Sequence, residues 1–570
     1  MLYSHILNTK KFSAIEIIDM LENDNKVIKC FKFSFDSCIE IAKLEPLINF
    51  YILKYIKILN NKYSNVNNDA FLYLLLRPFF TYILSFIYTK YLYCEYLKNN
   101  KIDTSISSQI QLEKNRFFAT HQEFFEEIFE NEDLHEWIAS FFSNQEFLSK
   151  EPKIITKKHH KNTLTKPKSF LQLLKERDVF KKPYRLYFII LEIIRIKIYK
   201  KLTFRQVYGF GLFSEIFFSL LIKLFTKKKI IGYNYKMSYI NSDISHMDIN
   251  FIKKTNTIVE HLLPESFLEN FECNYNKALK RLDLSFKFDT VTNYIHDTFE
   301  EALNLSLGKI ICRAQHGGVY VSSPSLVSKL EFDCNYFFCW GEEFPSNQFR
   351  CKFLFAPSPM LSYLRNCYVN NNQEDLIFVG TYIDTLWNGI LHPNASGLRN
   401  YILSKKAFFT LIDKKIYYKS LYKLPPNITK FDEKKFISEL FPDLKILPLN
   451  YCLEKKLKNC KIIVMDHLDG TTFYKAMVCN TPIVVYDAYP WYKFYDEAKN
   501  IFKKLSEAGV VYLNAEQCVN FLNKNWDNLN EWWASAEVQS VRLSFLDKYA
   551  KTSKKFYWEW IKIVINLIRK

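Results

Sequence analysis

From about residue 285 the sequence alternates between two kinds of segment, and few folds accommodate that alternation. Short apolar runs read as strands: "FDTVTN", "KIICRAQ", "CNYFFCWG", "DLIFVG", "KKIYYKSLYK", "KIIVMD" and "PIVVYD". Between several of them lie longer stretches with helical spacing, among them "YIHDTFEEALNLSLG", "NASGLRNYILSKKAFFTLI", "FDEKKFISELFPD" and "GTTFYKAMVCN". Strands that are apolar on both faces need cover on both faces. Helices inserted between them supply it, and they impose parallel pairing with right-handed crossovers. One series ends before about residue 342 and a second begins near 376, which predicts an α/β fold of two doubly wound parallel-sheet domains facing a cleft.

The rest of the chain is divided around those series. Residues 1–341 are expected to form the first domain, with a helical insertion over about 40–230. Residues 342–373, with three prolines and an Asn run, read as a linker, 374–545 as the second domain and 546–570 as a C-terminal helix. In "FLYLLLRPFFTYILSFIYTKYLYCEYL" Pro78 is expected to start or kink a helix. Residues 149–184 are basic and contain Pro, as a solvated loop or lid would be, and His159-His160 within them lack a carboxylate or Cys at metal-ligand spacing. The apolar stretches 186–202 and 210–229 are interrupted by charges. They read as buried helices, with membrane-surface contact as the second reading.

Charge and cysteine usage narrow the setting. The formal charge of +18, from 78 Lys+Arg against 60 Asp+Glu, favours anionic partners. No nucleic-acid motif accompanies it, so phosphorylated substrates or an anionic membrane face are expected and nucleic acid is not. The 13 Cys are scattered without CxxC pairs, as free thiols in a reducing cytoplasm would be. The N-terminus lacks the pattern of a signal peptide, and no metal is expected because the candidate loops carry no paired acids at ligand spacing.

Glycine is scarce, at 12 of 570 residues, yet Gly317 and Gly318 follow Gln315-His316 directly behind a predicted strand. The loop after a strand's C-terminal end is where open α/β sheets bind ligands. His316 there is a candidate acid, base or hydrogen-bond donor, and Gln315 a group to orient a leaving group. Gly317 and Gly318 permit positive φ and close backbone approach. A plain turn with a satisfied His fits the spacing equally well. A second strand runs through "VMDHLDGTTFYKAM" into a helix. Thr471 and Thr472 sit where that helix begins, a ready anion site, while Asp466 and Asp469 are candidates for ribose hydroxyls. Helix capping by Asp469 or Thr471 is the simpler alternative. Lys419 and Lys423, at a predicted strand end, are candidates to neutralise a pyrophosphate. Asp496, Glu497 and Lys499 open a further helix that ends at Gly509.

Taken together, "AQHGG", "DHLDGTTFYKAMVCNTPIVVYD", "FYDEAKNIFKKLSEAGVVY" and "WDNLNEWWASAEVQSVRLSFLDKYA" resemble a family of transferases from bacterial surface-carbohydrate (O-antigen) loci. Those proteins look like GT-B glycosyltransferases and are distantly similar to retaining enzymes that use CMP-activated 3-deoxy-octulosonic acid. "LLLRPFFTYILSFIYTKY" and "VEHLLPESFLENFE" extend the likeness in patches over about residues 70 to 550. Gln315, His316, Gly317 and Gly318 match the family's Gln-His-Gly-Gly loop. Asp466, Thr471 and Thr472 match its Thr-Thr loop, Glu497, Ala498 and Lys499 its Glu-Ala-Lys, and Trp340-Gly341 its Trp-Gly. Where the family has a Glu that commonly holds the donor ribose, this chain has Lys475, and the family's Arg-x-Tyr-Pro strand end is blurred into "KSLYKLPP".

The resemblance implies a GT-B-like fold with residues 1–341 on the acceptor side and 374–545 binding a nucleotide sugar. It implies a cytoplasmic glycosyltransferase of O-antigen, lipopolysaccharide or capsule assembly, peripheral at the anionic inner membrane. A nucleotide sugar, CMP-linked in the leading reading, is the donor and a glycan or lipid-linked glycan the acceptor, with no separate cofactor. A retaining double displacement needs a carboxylate, for which Asp297 is the first candidate and Glu260 the second. Two other classes stay open: a polyol-phosphate transferase of CDP-glycerol type, and a degenerate scaffold of a glycan-assembly complex, which Lys475 favours.

Overall fold

The computed structural model describes residues 12–31, 37–66, 68–101, 132–142, 207–225, 241–280, 298–318, 330–341, 351–365, 375–381, 395–425, 431–449, 451–457, 459–468, 470–487 and 496–569, with a few single positions and short pieces between. Helices come first: α1 (Ala14–Asn23), α2 (Ser37–Lys62), α3 (Asp69–Asn99), α4 (Leu212–Phe225) and α5 (Ile249–Leu262). A first α/β series follows with β1 (Lys287–Phe288), α6 (Thr298–Ser306), β2 (Ile311–Ala314), β3 (Tyr336–Cys339) and β4 (Lys352–Phe355). The second runs β5 (Leu376–Val379), α7 (Ala395–Leu411), β6 (Ser420–Lys423), α8 (Glu433–Leu440), β7 (Lys445–Leu447), α9 (Leu453–Leu457), β8 (Ile462–Met465), α10 (Thr471–Cys479), β9 (Ile483–Tyr486), α11 (Asp496–Glu507) and β10 (Val511–Tyr512). Helices α12 (Ala515–Asn525), α13 (Ala536–Tyr549) and α14 (Phe556–Arg569) end the chain.

Both sheets are parallel throughout, ordered β1-β2-β3-β4 and β10-β9-β8-β5-β6-β7. Their inner strands are buried on both faces, as the apolar runs require. In β8, Ile462 and Val464 join one core with α7, α8 and α12, while Ile463 and Met465 join another with α10, α11 and α13. The first sheet does the same. Ile311 and Phe337 face the N-terminal helices, and Cys312, Ala314 and Phe338 face α4 and α14. Trp560 of α14 lies 4.8 Å from Phe338, so the C-terminal helix returns from the second domain to cover the first. Two parallel α/β sheets with a helical N-terminal region and a helical C-terminal tail are the architecture expected from the sequence; among the described residues only the second sheet winds in both directions.

Four details differ from the sequence reading. Pro78 does not start a helix, because α3 runs through it. The dense packing of α3 on both sides outweighs the one backbone bond that proline removes. That helix is long and apolar enough to span a membrane, but 83% of its most apolar window is buried inside the fold. The stretch read as a linker contributes strand β4, an edge strand whose ends are exposed and whose pattern is correspondingly weak. Helix α1, opened by a Ser13–Glu16 capping box, packs into the core of the second sheet rather than the first. Within 210–229, α4 buries one face and exposes the other. Residues 143–203, including His159-His160, lie outside the described residues.

Candidate functional site

The second sheet reverses its winding between β5 and β8, whose neighbours in the chain run off to opposite edges. A crevice opens at such a reversal, outside the C-terminal strand ends. Asp466 follows β8 at this point, and Thr381 follows β5. Thr381 donates to Asp466 Oδ1 through its backbone N–H at 3.1 Å and its hydroxyl at 2.6 Å. Asp466 is wholly buried, and Lys405 Nζ stands 3.4 Å from its other oxygen. The carboxylate is therefore turned into the protein. It ties the two loops together and neither meets the crevice nor caps α10, which corrects its assignment as a ribose ligand.

Helix α10 has Gly470 as its N-cap, a residue with no side chain to bond the first-turn amides. Thr471 and Thr472 are thus its first two residues, and Thr471 is not the cap. The positive end of the helix dipole and the first-turn N–H groups point out of the sheet, a favourable place for an anion. The opposite end of α10 is held firmly. Asn480 adopts φ 61° there, Trp533 Nε1 donates to its carbonyl and its side-chain oxygen at 3.0 Å each, and Arg542 donates to Met477 O at 2.7 Å. The conspicuous "WDNLNEWWASAEVQSVR" segment therefore aims α10 from behind.

What α10 is aimed at is the loop after β2. Tyr474 Oη donates to Gly318 O at 3.1 Å, and a Cβ placed on Gly317 would lie 3.3 Å from Thr471 Oγ1. The two glycine- and threonine-bearing loops, about 150 residues apart in sequence, meet across the interface between the sheets. Gly317 does not use positive φ; its contribution is the close approach. Gln315 is buried with its amide committed: Oε1 accepts from Trp340 N–H and Nε2 donates to Gly317 O, both at 2.9 Å. It braces the loop and does not face a leaving group, a second correction. Trp340-Gly341 follows β3, so the Trp-Gly pair is part of the same construction.

His316 remains the titratable group of this loop. Burial holds its imidazole down to about 4, so it is neutral at pH 7. The unfolded chain takes up that proton near 6.5. Between these values the unfolded state holds more protons. The stabilisation is therefore complete above pH 6.5 and is lost as pH falls toward 4, to the extent of about 3 kcal/mol. Urea unfolding at pH 7 and pH 4 should show this loss in the native chain and not in H316Q. Equal pH slopes would contradict the burial of a neutral ring.

Beneath the crevice lies a polar cluster that sequence reasoning missed. Lys405 on α7 is 1% exposed and donates to Tyr422 Oη at 2.8 Å, to the Tyr401 hydroxyl and to the Glu433 carboxylate. Tyr422 also donates to Glu433, and Tyr401 to Thr381 O at 2.6 Å. Burial raises the Glu433 carboxyl, with Lys405 pulling against it, and burial followed by the Glu433 charge raises the Tyr422 phenol. The cluster fixes the ends of β5, β6 and β8 relative to one another.

The other candidates scatter. Lys475 is bonded to Glu454 of α9 at 2.5 Å. Burial works to raise the Glu454 carboxyl, but the Lys475 hydrogen bond and the groups beside it outweigh this and hold it below the usual range. Lys419 precedes β6 and lies at the end of the sheet away from the crevice; Lys423 ends the strand and donates to Leu449 O at 2.8 Å. Glu260 is exposed on α5, close enough to Tyr51 of α2 to act on its phenol, in the helical layer. Glu497 lies in the first turn of α11, and Asp297 and Asp469 fall outside the described residues. Among the described residues no group of three or more His, Cys, Asp or Glu could hold a metal.

No curated protein matches the sequence. Among solved structures, the wall teichoic acid polymerase TagF, soaked with CDPG, aligns over 47% of this chain and 70% of its own, at 11% identity and TM-score 0.30. A mutant O-GlcNAc transferase of Thermobaculum terrenum aligns over 56% and 59%, at 11% identity and TM-score 0.26. Likeness at that level transfers nothing to the site. The family match is of another order, because the LIC12162 family transferase pattern covers residues 40–564, from within α2 to within α14 and through both sheets. The chain belongs to the LIC12162 family of transferases.

Proposed function

We propose that this transferase is a glycosyltransferase of bacterial surface-polysaccharide assembly, acting in the cytoplasm on a nucleotide sugar and a glycan acceptor. The observation that carries the reading is the meeting of the β2 loop with the N-terminus of α10 between two parallel sheets. Sugar transfer from a nucleotide leaves a phosphate, and the first-turn amides of α10 with Thr471 and Thr472 offer it donors fixed before the reaction. His316, neutral at rest, can accept the acceptor's proton. A phosphate bound at α10 would stabilise the imidazolium and strengthen it as a base. The donor is read as a CMP-activated ulosonic acid.

A thermal-shift panel of CMP, CDP, UDP and GDP tests this. One nucleotide should raise the melting temperature, by about 2.7 kcal/mol of stabilisation at a hundredfold excess over Kd. Thr472→Glu, which sets a carboxylate at the helix start, should abolish the shift while leaving the fold intact. His316→Ala should leave binding intact and suppress sugar transfer. Turnover of CDP-glycerol in place of a nucleotide sugar would replace the glycosyl reading with the polyol-phosphate one. No shift with any nucleotide at millimolar concentration would remove both.

A further inference from the structure

Helix α4 carries large apolar residues on both faces but only one face is covered. Its inner residues Phe218, Ser219 and Ile222 pack with α14 and the first sheet. The ring of Phe218 stacks on Phe204 at 4.5 Å, and the Ser214 hydroxyl meets Tyr557 Oη at 2.8 Å. The inner face is thus complete and rigidly held. On the other side Phe213, Phe217, Leu220 and Leu224 are 87%, 47%, 57% and 70% exposed. Their spacing of four, three and four places them in one stripe along the helix. Core packing does not account for this stripe, since those side chains add nothing to it. Contiguous exposed apolar surface of this kind marks an interaction site.

The charges around the stripe indicate the partner. The exposed ionic positions on α4 and the adjoining α14 are Lys223, Lys562 and Arg569. Neither acid of these two helices is exposed: Glu215 is buried, and the half-buried Glu559 accepts from the Ser553 hydroxyl. Directly after α4 the sequence continues Thr226-Lys227-Lys228-Lys229, within a chain of net charge +18. A helix with an apolar stripe and cations at its margin, lacking exposed acids, is complementary to a bilayer surface with anionic headgroups. Lysine stems reach past the apolar layer and leave their ammonium groups among the phosphates.

We propose that the outer face of α4 is a membrane-docking surface that seats the transferase on an anionic bilayer. Phe213, Phe217, Leu220 and Leu224 enter the headgroup–acyl boundary, and Lys223 at the margin of the stripe pairs with lipid phosphates. The proposal stands apart from the donor reading, and nucleotide binding by the same variant tells their failures apart.

The test is co-sedimentation of the full chain with vesicles of phosphatidylcholine alone or mixed with phosphatidylglycerol. Binding is expected to the mixed vesicles, to weaken at high salt, and to fall about tenfold or more in Phe213→Glu/Leu224→Glu. Because both side chains are exposed, the variant should keep the native melting temperature. Equal binding by the variant, or none by the native chain, overturns the proposal. A fall in the variant's melting temperature would mean that another part of the chain covers the stripe. A native dimer that becomes a monomer in the variant, by light scattering, would mean that a second copy does.

Discussion

Replacing Lys405 by Met should cost about 3–5 kcal/mol, among the largest effects of any single side chain here. Lys405 is the cation of a buried cluster that contains the carboxylates of Glu433 and Asp466. Without it, both acids stay buried with tyrosine and threonine donors and no counter-charge. They must then take up protons, or the strand ends must open to water. The sign with pH follows. A carboxyl whose folded pKa is raised above the unfolded value costs stability at high pH, and the cost is relieved as pH falls and the proton binds. The gap between K405M and the native chain should therefore be widest near pH 8 and narrow toward pH 5. K405M/E433Q, with one charge fewer, should regain part of the loss. Melting and urea curves across that range decide it. A gap below about 0.5 kcal/mol, or one that does not change with pH, would mean that the cluster is not held by charge.

That cluster marks where sequence reading reached its limit. Lys405 and Lys406 are neighbours in a helix rich in both polar and apolar residues. One lies buried under the crevice, while the other pairs at the surface with Glu22. Nothing local separates them; the difference comes from which side of α7 meets Tyr422 and Glu433. The sheets were far more legible. Runs such as "IIVM" and "IVVY" are apolar at every position because both faces of a parallel strand are covered. Edge strands lack that signature. Strand β4 hid among prolines, and β7, three residues beginning with an exposed Lys445, went unread.

The site was legible as positions more than as roles. Scarce glycines and a Thr-Thr helix start located the two loops that meet. Which way Gln315 and Asp466 point is decided by tertiary partners, Trp340 for one and Thr381 with Lys405 for the other. Lys419 was misplaced for a simpler reason. The run "KKIYY" begins with a helical turn, Lys414–Tyr417, so the strand starts later than its β-branched and aromatic residues suggest. A residue expected at the strand's end falls before its beginning.

The seam between the domains should be equally unforgiving at Gly341. A Cβ on this residue would lie 1.8 Å from Lys548 O, 2.5 Å from its carbonyl carbon and 2.7 Å from Tyr549 Cα. All three are backbone atoms at the end of α13, so no side chain can swing aside. Trp340 fixes the same spot from the other side: its N–H is held by Gln315, and its carbonyl accepts from Lys551 N–H at 2.5 Å. Ser358 N–H in turn donates to Lys551 O at 3.0 Å. Relief of the clash requires α13 to move off β3, which breaks these bonds and shifts the chain leading into α14. Gly341→Ala should therefore cost about 3 kcal/mol or more, at the upper end of what one added methyl does in a packed interior. Its effect should also be located. Limited proteolysis should cut G341A within residues 550–555, between α13 and α14, faster than the native chain. Gly211→Ala, where an added Cβ meets nothing within 4 Å, should behave as native. If G341A melts with the native chain and resists cleavage there, the return of α14 onto the first sheet does not depend on this contact. If it opens as expected, the nucleotide shift should weaken with it, because the β2 loop braced through Trp340 is the loop that α10 faces.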